Sequence, residues 1–428
     1  MSIRSYQVGF GDCFLLSFGY GNAAKPTSER HVLIDFGTTK LPRGADKDQM
    51  VLIAQDIAKR CGGKLHGLVA THRHRDHISG FATTKGSESS GSIIASLNPD
   101  VVVQPWTGDP KAASNALAPT TTDASTHKGF VGSLTRMQAV SRLAVGEAAR
   151  IEGWAGVRLL SQIKFLGEDN VKNPEAVRNL LEMGKKAQHQ VFASYGVDSQ
   201  LGSVLPGVQV DVLGPPTLLQ SKAIKKERQK DANEYWHLVE GALATTAGPG
   251  PRASETAQPL PDYTHWFIPR VRAIRASQLL EIVQSLDGVL NNTSLILLFQ
   301  VGKTKLLFPG DAQIENWSYC LFEAPDSETR KRQLEDVALY KVGHHGSLNA
   351  TPKTLWNGFA NRGAAKSPKR LKSLLSTLPG KHGSKQKDSE VPRGKLLDEL
   401  KAQSDLTSTD DLTPKKILHC EDVLLKLA

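Results

Sequence analysis

The sequence is poor in cysteine and contains no long apolar run. Its four cysteines are widely separated and form no C-x-x-C pair, which argues against a disulfide framework and against a zinc ribbon. No signal peptide is recognisable, because glycine and aspartate residues interrupt the first apolar run. The longest apolar stretch, Ser294–Val301, is far shorter than the roughly 20 residues of a transmembrane helix. These absences predict a soluble, cytoplasmic protein without a membrane span.

Basic residues outnumber acidic ones in this chain. Lys and Arg together number 53 against 43 Asp and Glu, which gives a formal net charge of +10. This balance favours an anionic partner, such as a nucleic acid or a nucleotide. Part of the excess flanks His382, where an ordinary solvated basic face is an equal alternative; no aromatic residues are interleaved there, so base stacking is not indicated. The basic residues of this block are Lys366, Lys369, Arg370, Lys372, Lys381, Lys385 and Lys387.

Coordinating side chains are crowded into one short segment, the H-x-H-x-D-H motif of residues 72–77. Imidazole and carboxylate groups are the ligands that transition metals and harder divalent cations prefer. Alternate side chains of an extended segment project the same way, so His72 and His74 can hold one ion. Asp76 and His77 then fall at the next turn and can hold a second. A solvated surface loop is the alternative, but such a loop does not need so many coordinating groups.

An amphipathic segment and a short apolar segment precede this motif. Residues 46–61 place apolar side chains at helical spacing, and Gly62-Gly63 is a typical helix stop. Residues 67–71 predict a short buried strand. The motif would therefore follow the carboxyl end of a strand, where open α/β sheets place their ligands.

Two further predicted strands end in coordinating residues. Asp311 follows the apolar segment 306–308, and the pair His344-His345 follows the segment 339–342. Alone, a Gly-Asp turn or a His-His pair carries little weight. Together with the first motif they predict three strand ends that present metal ligands.

These motifs resemble those of the metallo-β-lactamase superfamily. The similarity rests on Val8–Leu16, Leu33–Gly37, His72–His77, Asp311 and His344. Within the superfamily, the chain is most similar to the metallo-hydrolase domain of ComEC-type competence proteins, which take up DNA, but it lacks their transmembrane channel. The closer match rests on Asn291–Leu297, Gly343–Ser347 and a C-terminal block from Ser373 to Asp410 that includes His382.

The resemblance implies an αββα sandwich, in which two mixed β-sheets are flanked by helices. Residues 1–107 and 291–428 would form its two halves. Residues 108–290 would form a long, largely helical insertion, with a core strand near 208–213. The composition of residues 241–262, rich in Ala, Thr, Gly and Pro, predicts a flexible loop within that insertion.

The resemblance also implies a centre of two divalent ions, Zn or Mn. His72 and His74 would bind the first ion. The second ion would be bound by Asp76, His77 and His344, and Asp311 would bridge both ions. His345, Ser347 and Asn292 would lie beside the ligands or contact the substrate. Many superfamily members have a histidine where this chain has Asn291-Asn292, so the first ion would be held more weakly, and a single-metal enzyme is the alternative.

The chemistry implied by the resemblance is hydrolysis by a metal-activated water at this centre. Asp76 would orient the water and His382 would protonate the leaving group, although His382 could also be an exposed loop residue. The basic charge favours a phosphodiesterase or nuclease. Hydrolysis of a thioester, lactone or amide by the same centre is the second hypothesis. A non-catalytic sensor or scaffold in a larger assembly, with an unidentified protein partner, is the third.

Overall fold

The computed structural model describes residues 1–22, 25–84, 88–110, 173–222, 290–364, 367–383, 390–413 and 418–419. Strands and helices are numbered below in chain order within these residues. The flexible loop predicted at 241–262 lies outside them, and so does most of the insertion predicted over 108–290.

Seven strands form the first sheet. They are β1 (Ser2–Tyr6), β2 (Cys13–Asn22), β3 (Lys25–Phe36), β4 (Gly67–Val69), β5 (Val101–Pro105), β6 (His189–Ala193) and β13 (Leu418–His419). Their order is β13-β1-β2-β3-β4-β5-β6. The strands from β13 to β3 pair antiparallel, whereas β3 to β6 pair parallel, so the sheet is mixed.

Six strands form the second sheet, which is also mixed. They are β7 (Val208–Gly214), β8 (Ile296–Val301), β9 (Thr304–Phe308), β10 (Val337–Lys341), β11 (Lys372–Leu375) and β12 (Asp405–Ser408), in the order β12-β11-β10-β9-β8-β7. The pairs within β7–β9 are antiparallel and those within β9–β12 are parallel. Val301 pairs with Thr304, so β8 and β9 form a hairpin that turns at Gly302-Lys303.

Helices cover both outer faces of the two sheets. They are α1 (Gln49–Arg60), α2 (Arg75–Ile78), α3 (Ser90–Ser96), α4 (Pro174–Lys186), α5 (Leu201–Val204), α6 (Ile314–Ser318), α7 (Ser327–Glu335), α8 (Lys353–Gly358) and α9 (Gly394–Gln403). None of the helices in the described part of the chain combines the length and apolar character that a bilayer span requires. The coarse prediction of an α/β protein with two mixed sheets and flanking helices is confirmed.

The core follows from the two-residue periodicity of the strands. On β2, Phe14 and Leu16 point into the space between the sheets, where they join Phe299 of β8 and Leu339 of β10. Leu15 faces the other way and packs with the helices of the first sheet. A third cluster lies between the second sheet and helices α6 to α9. Apolar side chains therefore fill three interfaces between four layers.

The region expected to be an insertion contributes strands to both sheets. Its described part, residues 173–222, forms α4, β6, α5 and β7. The strand predicted near 208–213 is present as β7, at the edge of the second sheet. β6 was not predicted, and it pairs parallel to β5 at the edge of the first sheet. Residues 173–222 are therefore integral to the sandwich.

A buried histidine on β3 is expected to make the protein less stable in acid. His31 Nδ1 lies 2.9 Å from Ser17 Oγ, and burial, followed by the charge of Arg60, lowers the pKa of His31 from 6.5 to about 4. The unfolded chain takes up this proton near pH 6.5 but the folded chain only near pH 4, so the unfolding free energy falls as the pH decreases between these values. We expect a loss of about 1–2 kcal/mol from this group. Urea denaturation at several pH values should show a smaller loss for His31→Gln; equal losses would contradict the assignment.

Candidate metal centre

The predicted ligands lie at one edge of the sandwich because of the strand directions. The H-x-H-x-D-H motif follows β4, and its last residues form α2. Asp311 follows β9 and the pair His344-His345 follows β10, which runs parallel to β9. The carboxyl ends of these strands meet, as expected for ligand sites in α/β sheets.

Four buried side chains form the centre of this region. Asp76, His77, Asp311 and His345 each offer a ligand atom, and these atoms all lie within 4.8 Å of one another. His77 Nε2 is 3.0 Å from Asp311 Oδ2, and His345 Nε2 is 3.0 Å from Asp76 Oδ2. His345 Nε2 is also 3.8 Å from Asp311 Oδ2. We call these four residues the metal cluster.

Hydrogen bonds behind the metal cluster fix the orientation of its two imidazoles. His77 Nδ1 lies 2.8 Å from Asp35 Oδ2, and His345 Nδ1 lies 2.9 Å from the carbonyl oxygen of Ser376. Both partners can only accept, so each Nδ1 carries the hydrogen. In the neutral tautomer, each Nε2 then presents a lone pair to the cluster. Such contacts between an imidazole and its second partner fix the ring of a metal ligand.

The contacts inside the metal cluster require a cation or a proton between their atoms. A neutral Nε2 lone pair and a carboxylate oxygen repel each other at 3.0 Å. Burial lowers the pKa of His77, but the carboxylates of Asp311, Asp35 and Asp76 outweigh burial and raise that pKa well above its ordinary value. Two imidazoles and two carboxylates suit Zn²⁺ or Mn²⁺. The residues present therefore fit a divalent ion.

His72 and His74 stand beside the metal cluster. The ring of His72 lies 4.1 Å from the ring of His77 and 4.7 Å from that of His74, measured between centroids. Within the described part of the chain, the buried His72 Nε2 has no hydrogen-bond partner, which leaves it available to a metal. Burial, and then the neighbouring histidines, lower the pKa of His72 well below its ordinary value, so the ring is neutral and able to coordinate.

The His-His pair differs from the expectation. The sequence favoured His344 as the ligand, but the structure brings His345 into the metal cluster. The side chain of His344 is 22% exposed, its Nε2 lies 3.9 Å from Asp311 Oδ2, and its Nδ1 lies 2.9 Å from Ser347 Oγ. Both histidines have a left-handed backbone, with φ of 39° and 52°, so the chain turns sharply and directs the second ring inward.

His382 lies near the metal cluster, behind an aromatic ring. The ring of Phe10 is 4.3 Å from His382 and 4.3 Å from His345 between centroids. His382 pairs with Val391 in an isolated β-bridge. Burial, and then the charge of Lys381, lower the pKa of His382 to about 3. At neutral pH, His382 is therefore an uncharged imidazole.

The side-chain amide of Asn292 is oriented by a buried carboxylate. Its amide nitrogen donates to Glu315 Oε2 at 3.1 Å, and both residues are fully buried. Asn292 Oδ1, the atom that could bind a metal, is buried and has no hydrogen-bond partner among the described residues. Glu315 lies on α6, directly after the segment that contains Asp311.

The basic block near His382 is only partly a surface for anions. Arg370 is buried and donates to Asp405 Oδ1 at 2.9 Å, so it holds the fold together. Lys372 begins β11, at the end opposite the metal cluster, where it lines a cavity of about 430 Å³ with Lys401. Lys366, Lys385 and Lys387 lie outside the described residues.

Three buried charged residues of the centre were not predicted from sequence. Asp12 lies between β1 and β2, Asp35 lies in β3 and Lys341 ends β10. Asp35 shares the signal that identified Asp311, since both are carboxylates at the end of a buried strand. Lys341 also had a signal, because a lysine within the apolar segment 339–342 requires a buried counter-charge.

Comparison with known proteins assigns no family to the chain. No family model matches it, and no curated protein matches it significantly. The function of the centre is therefore argued from the residues that form it.

Proposed function

We propose that this chain is a metal-dependent hydrolase of the metallo-β-lactamase type, similar to the ComEC-type domain, and that it acts as a phosphodiesterase or nuclease. The observation that carries the proposal is the metal cluster, in which four buried ligands converge from three strand ends. His72 and His74, beside it, provide ligands for a second ion. The proposed ions are Zn²⁺ or Mn²⁺.

A divalent ion bound at this centre lowers the pKa of water and polarises the oxygen of a phosphoryl or carbonyl group. The protein contributes orientation and charge. Asp76 presents Oδ2 toward His345, and its own neighbours, His77 and His345, hold the pKa of Asp76 well below its ordinary value despite burial. Asp76 is therefore a carboxylate at neutral pH and able to accept a hydrogen bond from water.

His382 is proposed to assist the leaving group. Because its pKa is low, the His382 ring is uncharged before substrate binds. A neutral imidazole still donates one hydrogen bond, through its single ring N–H. An anionic phosphodiester nearby would favour the imidazolium and raise this pKa, because an opposite charge stabilises the charged form. Phe10, packed between His382 and His345, fixes the position of the ring relative to the metal cluster.

The preference for a phosphodiester is supported by the net charge of +10. Basic groups attract an anionic substrate at long range, whereas a neutral lactone or amide gains little from them. Lys366, Lys385 and Lys387 lie outside the described part of the chain. A comparison of phosphodiester with carbonyl substrates therefore tests whether the charge beside His382 favours an anion.

The proposal is tested with Asp76→Asn and a generic phosphodiester. We expect the wild-type chain to hydrolyse bis-p-nitrophenyl phosphate with Mn²⁺ or Zn²⁺, and the variant to lose at least about 100-fold in rate because a ligand and an acceptor for water are removed. Asp398→Asn, at an exposed carboxylate on α9, is the matched control and should retain full activity.

Different outcomes separate the hypotheses. Hydrolysis that survives Asp76→Asn would place the activity elsewhere and contradict the proposal. A wild-type chain that binds metal but hydrolyses only thioesters or lactones would favour the carbonyl substrate. A chain that binds no metal and hydrolyses neither class would favour the scaffold.

A further inference from the structure

A second group of buried ligand-type side chains lies directly behind the metal cluster. Asp12, Asp35 and His77 offer atoms within 4.8 Å of one another, and all three residues are buried. Asp12 Oδ2 is 3.7 Å from His77 Nδ1, and Asp12 Oδ1 is 3.7 Å from His345 Nδ1. We call Asp12 and Asp35 the rear carboxylates. Two buried carboxylates so close to Asp76 and Asp311 require a positive partner.

The positive partner of Asp12 is the side chain of Lys341. Lys341 is 1% exposed, its ammonium group forms an ion pair with Asp12 Oδ2, and it donates to the carbonyl oxygen of Gly310 at 3.1 Å. The same Nζ lies 3.6 Å from Asp311 Oδ1. The ammonium is therefore surrounded by oxygens, in the manner of a bound cation.

Lys341 acts on the metal cluster through Asp311. One oxygen of Asp311, Oδ1, faces Lys341, and the other, Oδ2, faces His77 and His345. Although burial favours the neutral amine, the carboxylates of Asp12 and Asp311 raise the pKa of Lys341 above its ordinary value. The group therefore stays charged throughout the physiological range and is a permanent feature of the site.

We propose that Lys341 is a positioning residue whose ammonium group acts as a resident cation beside Asp12, excludes a divalent ion from the place between Asp12, Asp311 and Gly310, and turns Asp311 Oδ2 toward the metal cluster. Metal is thereby confined to the front of the site, where His72 and His74 also lie. The benefit of confining metal to the front of the site rests on the proposed function. The exclusion of an ion by Lys341 does not depend on which reaction the centre performs.

The experiment counts ions bound by variants of the full-length chain. Wild type and Lys341→Ala are dialysed against Mn²⁺, and bound manganese is measured per chain. Because alanine removes the ammonium group and leaves space for an ion beside Asp12, Asp311 and Gly310, we expect the variant to bind one Mn²⁺ more than wild type. We also expect Mn²⁺ to raise the melting temperature of the variant more than that of wild type.

Two further variants test whether the extra Mn²⁺ binds in the place vacated by Lys341 rather than elsewhere on an altered protein. Asp12→Asn/Lys341→Ala removes the carboxylate and the ammonium group together, so it should bind the same number of ions as wild type. Lys341→Met removes the charge but fills the space, so it should gain no ion and should lose stability, because Asp12 stays buried and unpaired.

Equal manganese content in wild type and Lys341→Ala would overturn the inference, and so would an extra ion that persists in the double variant. A Lys341→Ala chain that stays unfolded in excess Mn²⁺ would also overturn it, since an ion in the vacated place would balance the same carboxylates. The quantity measured is the difference in bound manganese between Lys341→Ala and wild type. A wild-type chain without metal would therefore refute the proposed function, while the gain in the variant would still test the role of Lys341.

Discussion

A chain in which His345 is replaced by alanine is expected to bind divalent metal much more weakly than wild type, whereas His344→Ala is expected to bind it about as well. His345 is fully buried and its Nε2 lies 3.0 Å from Asp76 Oδ2, inside the metal cluster. His344 is partly exposed and bonded to Ser347. Because changes to residues outside the ligand shell already cost 10–100-fold in metal affinity, we expect His345→Ala to weaken binding more than about 100-fold. We expect less than a threefold change for His344→Ala.

The two variants control for each other. Both positions have a left-handed backbone, so the strain of placing alanine there is similar in both proteins. Competition with a chelator measures metal affinity, and hydrolysis of bis-p-nitrophenyl phosphate is measured beside it. A larger loss for His344→Ala would restore the assignment made from sequence and would require the pair to turn when metal binds.

The choice between these two histidines shows where sequence reasoning ends. The resemblance implied that a histidine after β10 would join Asp76 and Asp311, and the structure places one there. Adjacent residues, however, point in different directions, and which one points inward depends on the turn that the backbone makes. Two successive positive φ angles decide this, and no pattern in Gly-His-His-Gly encodes them.

The helices and strands that could be predicted are those with a local pattern of apolar residues. The apolar spacing before the first motif predicted a helix, which is present as α1, and residues 67–71 predicted a short strand, which is present as β4. β6 was missed because His189–Ala193 is short and does not alternate, and its strand character comes from pairing with β5. Long-range pairing of this kind overrides weak local propensity.

The charged residues behind the centre were missed for a related reason. Asp12 and Lys341 are far apart in the sequence: Asp12 precedes β2 of the first sheet and Lys341 ends β10 of the second, so the packing of the two sheets brings them together. Asp12 and Asp35 lie in the stretches Val8–Leu16 and Leu33–Gly37, on which the family resemblance rests. The resemblance does not show which residues of these stretches contact one another. The sequence therefore predicts the ligands that are clustered along the chain better than the residues that orient them.

Replacing Asp35 with alanine is expected to weaken metal binding by about 10–100-fold without removing a metal ligand. Asp35 Oδ2 accepts from the side chain of Thr71 at 2.7 Å and lies 2.8 Å from His77 Nδ1, while Oδ1 accepts from the backbone N–H of Thr71 at 2.7 Å. The carboxylate therefore holds both the His77 ring and the start of the segment that carries His72 and His74. Its loss frees the ring to rotate and to change tautomer. Chelator competition and the rate of phosphodiester hydrolysis are the measurements.

Thr71→Val provides the graded control for Asp35→Ala, because it keeps the backbone N–H and the contact between Asp35 and His77. It removes one hydroxyl group, which donates to Asp35 and lies 3.2 Å from His72 Nδ1. We expect an effect on metal affinity of about tenfold, since each hydrogen bond contributes about 1 kcal/mol. Asp35→Asn separates charge from shape: the amide can still accept from Thr71, but it stabilises the Nδ1–H of His77 less than a carboxylate does. Metal affinity should therefore decrease in the order wild type, Thr71→Val, Asp35→Asn, Asp35→Ala. An Asp35→Ala chain that is folded and binds metal as tightly as wild type would show that the ligands of the metal cluster orient themselves, and the role assigned here to the residues behind them would be wrong.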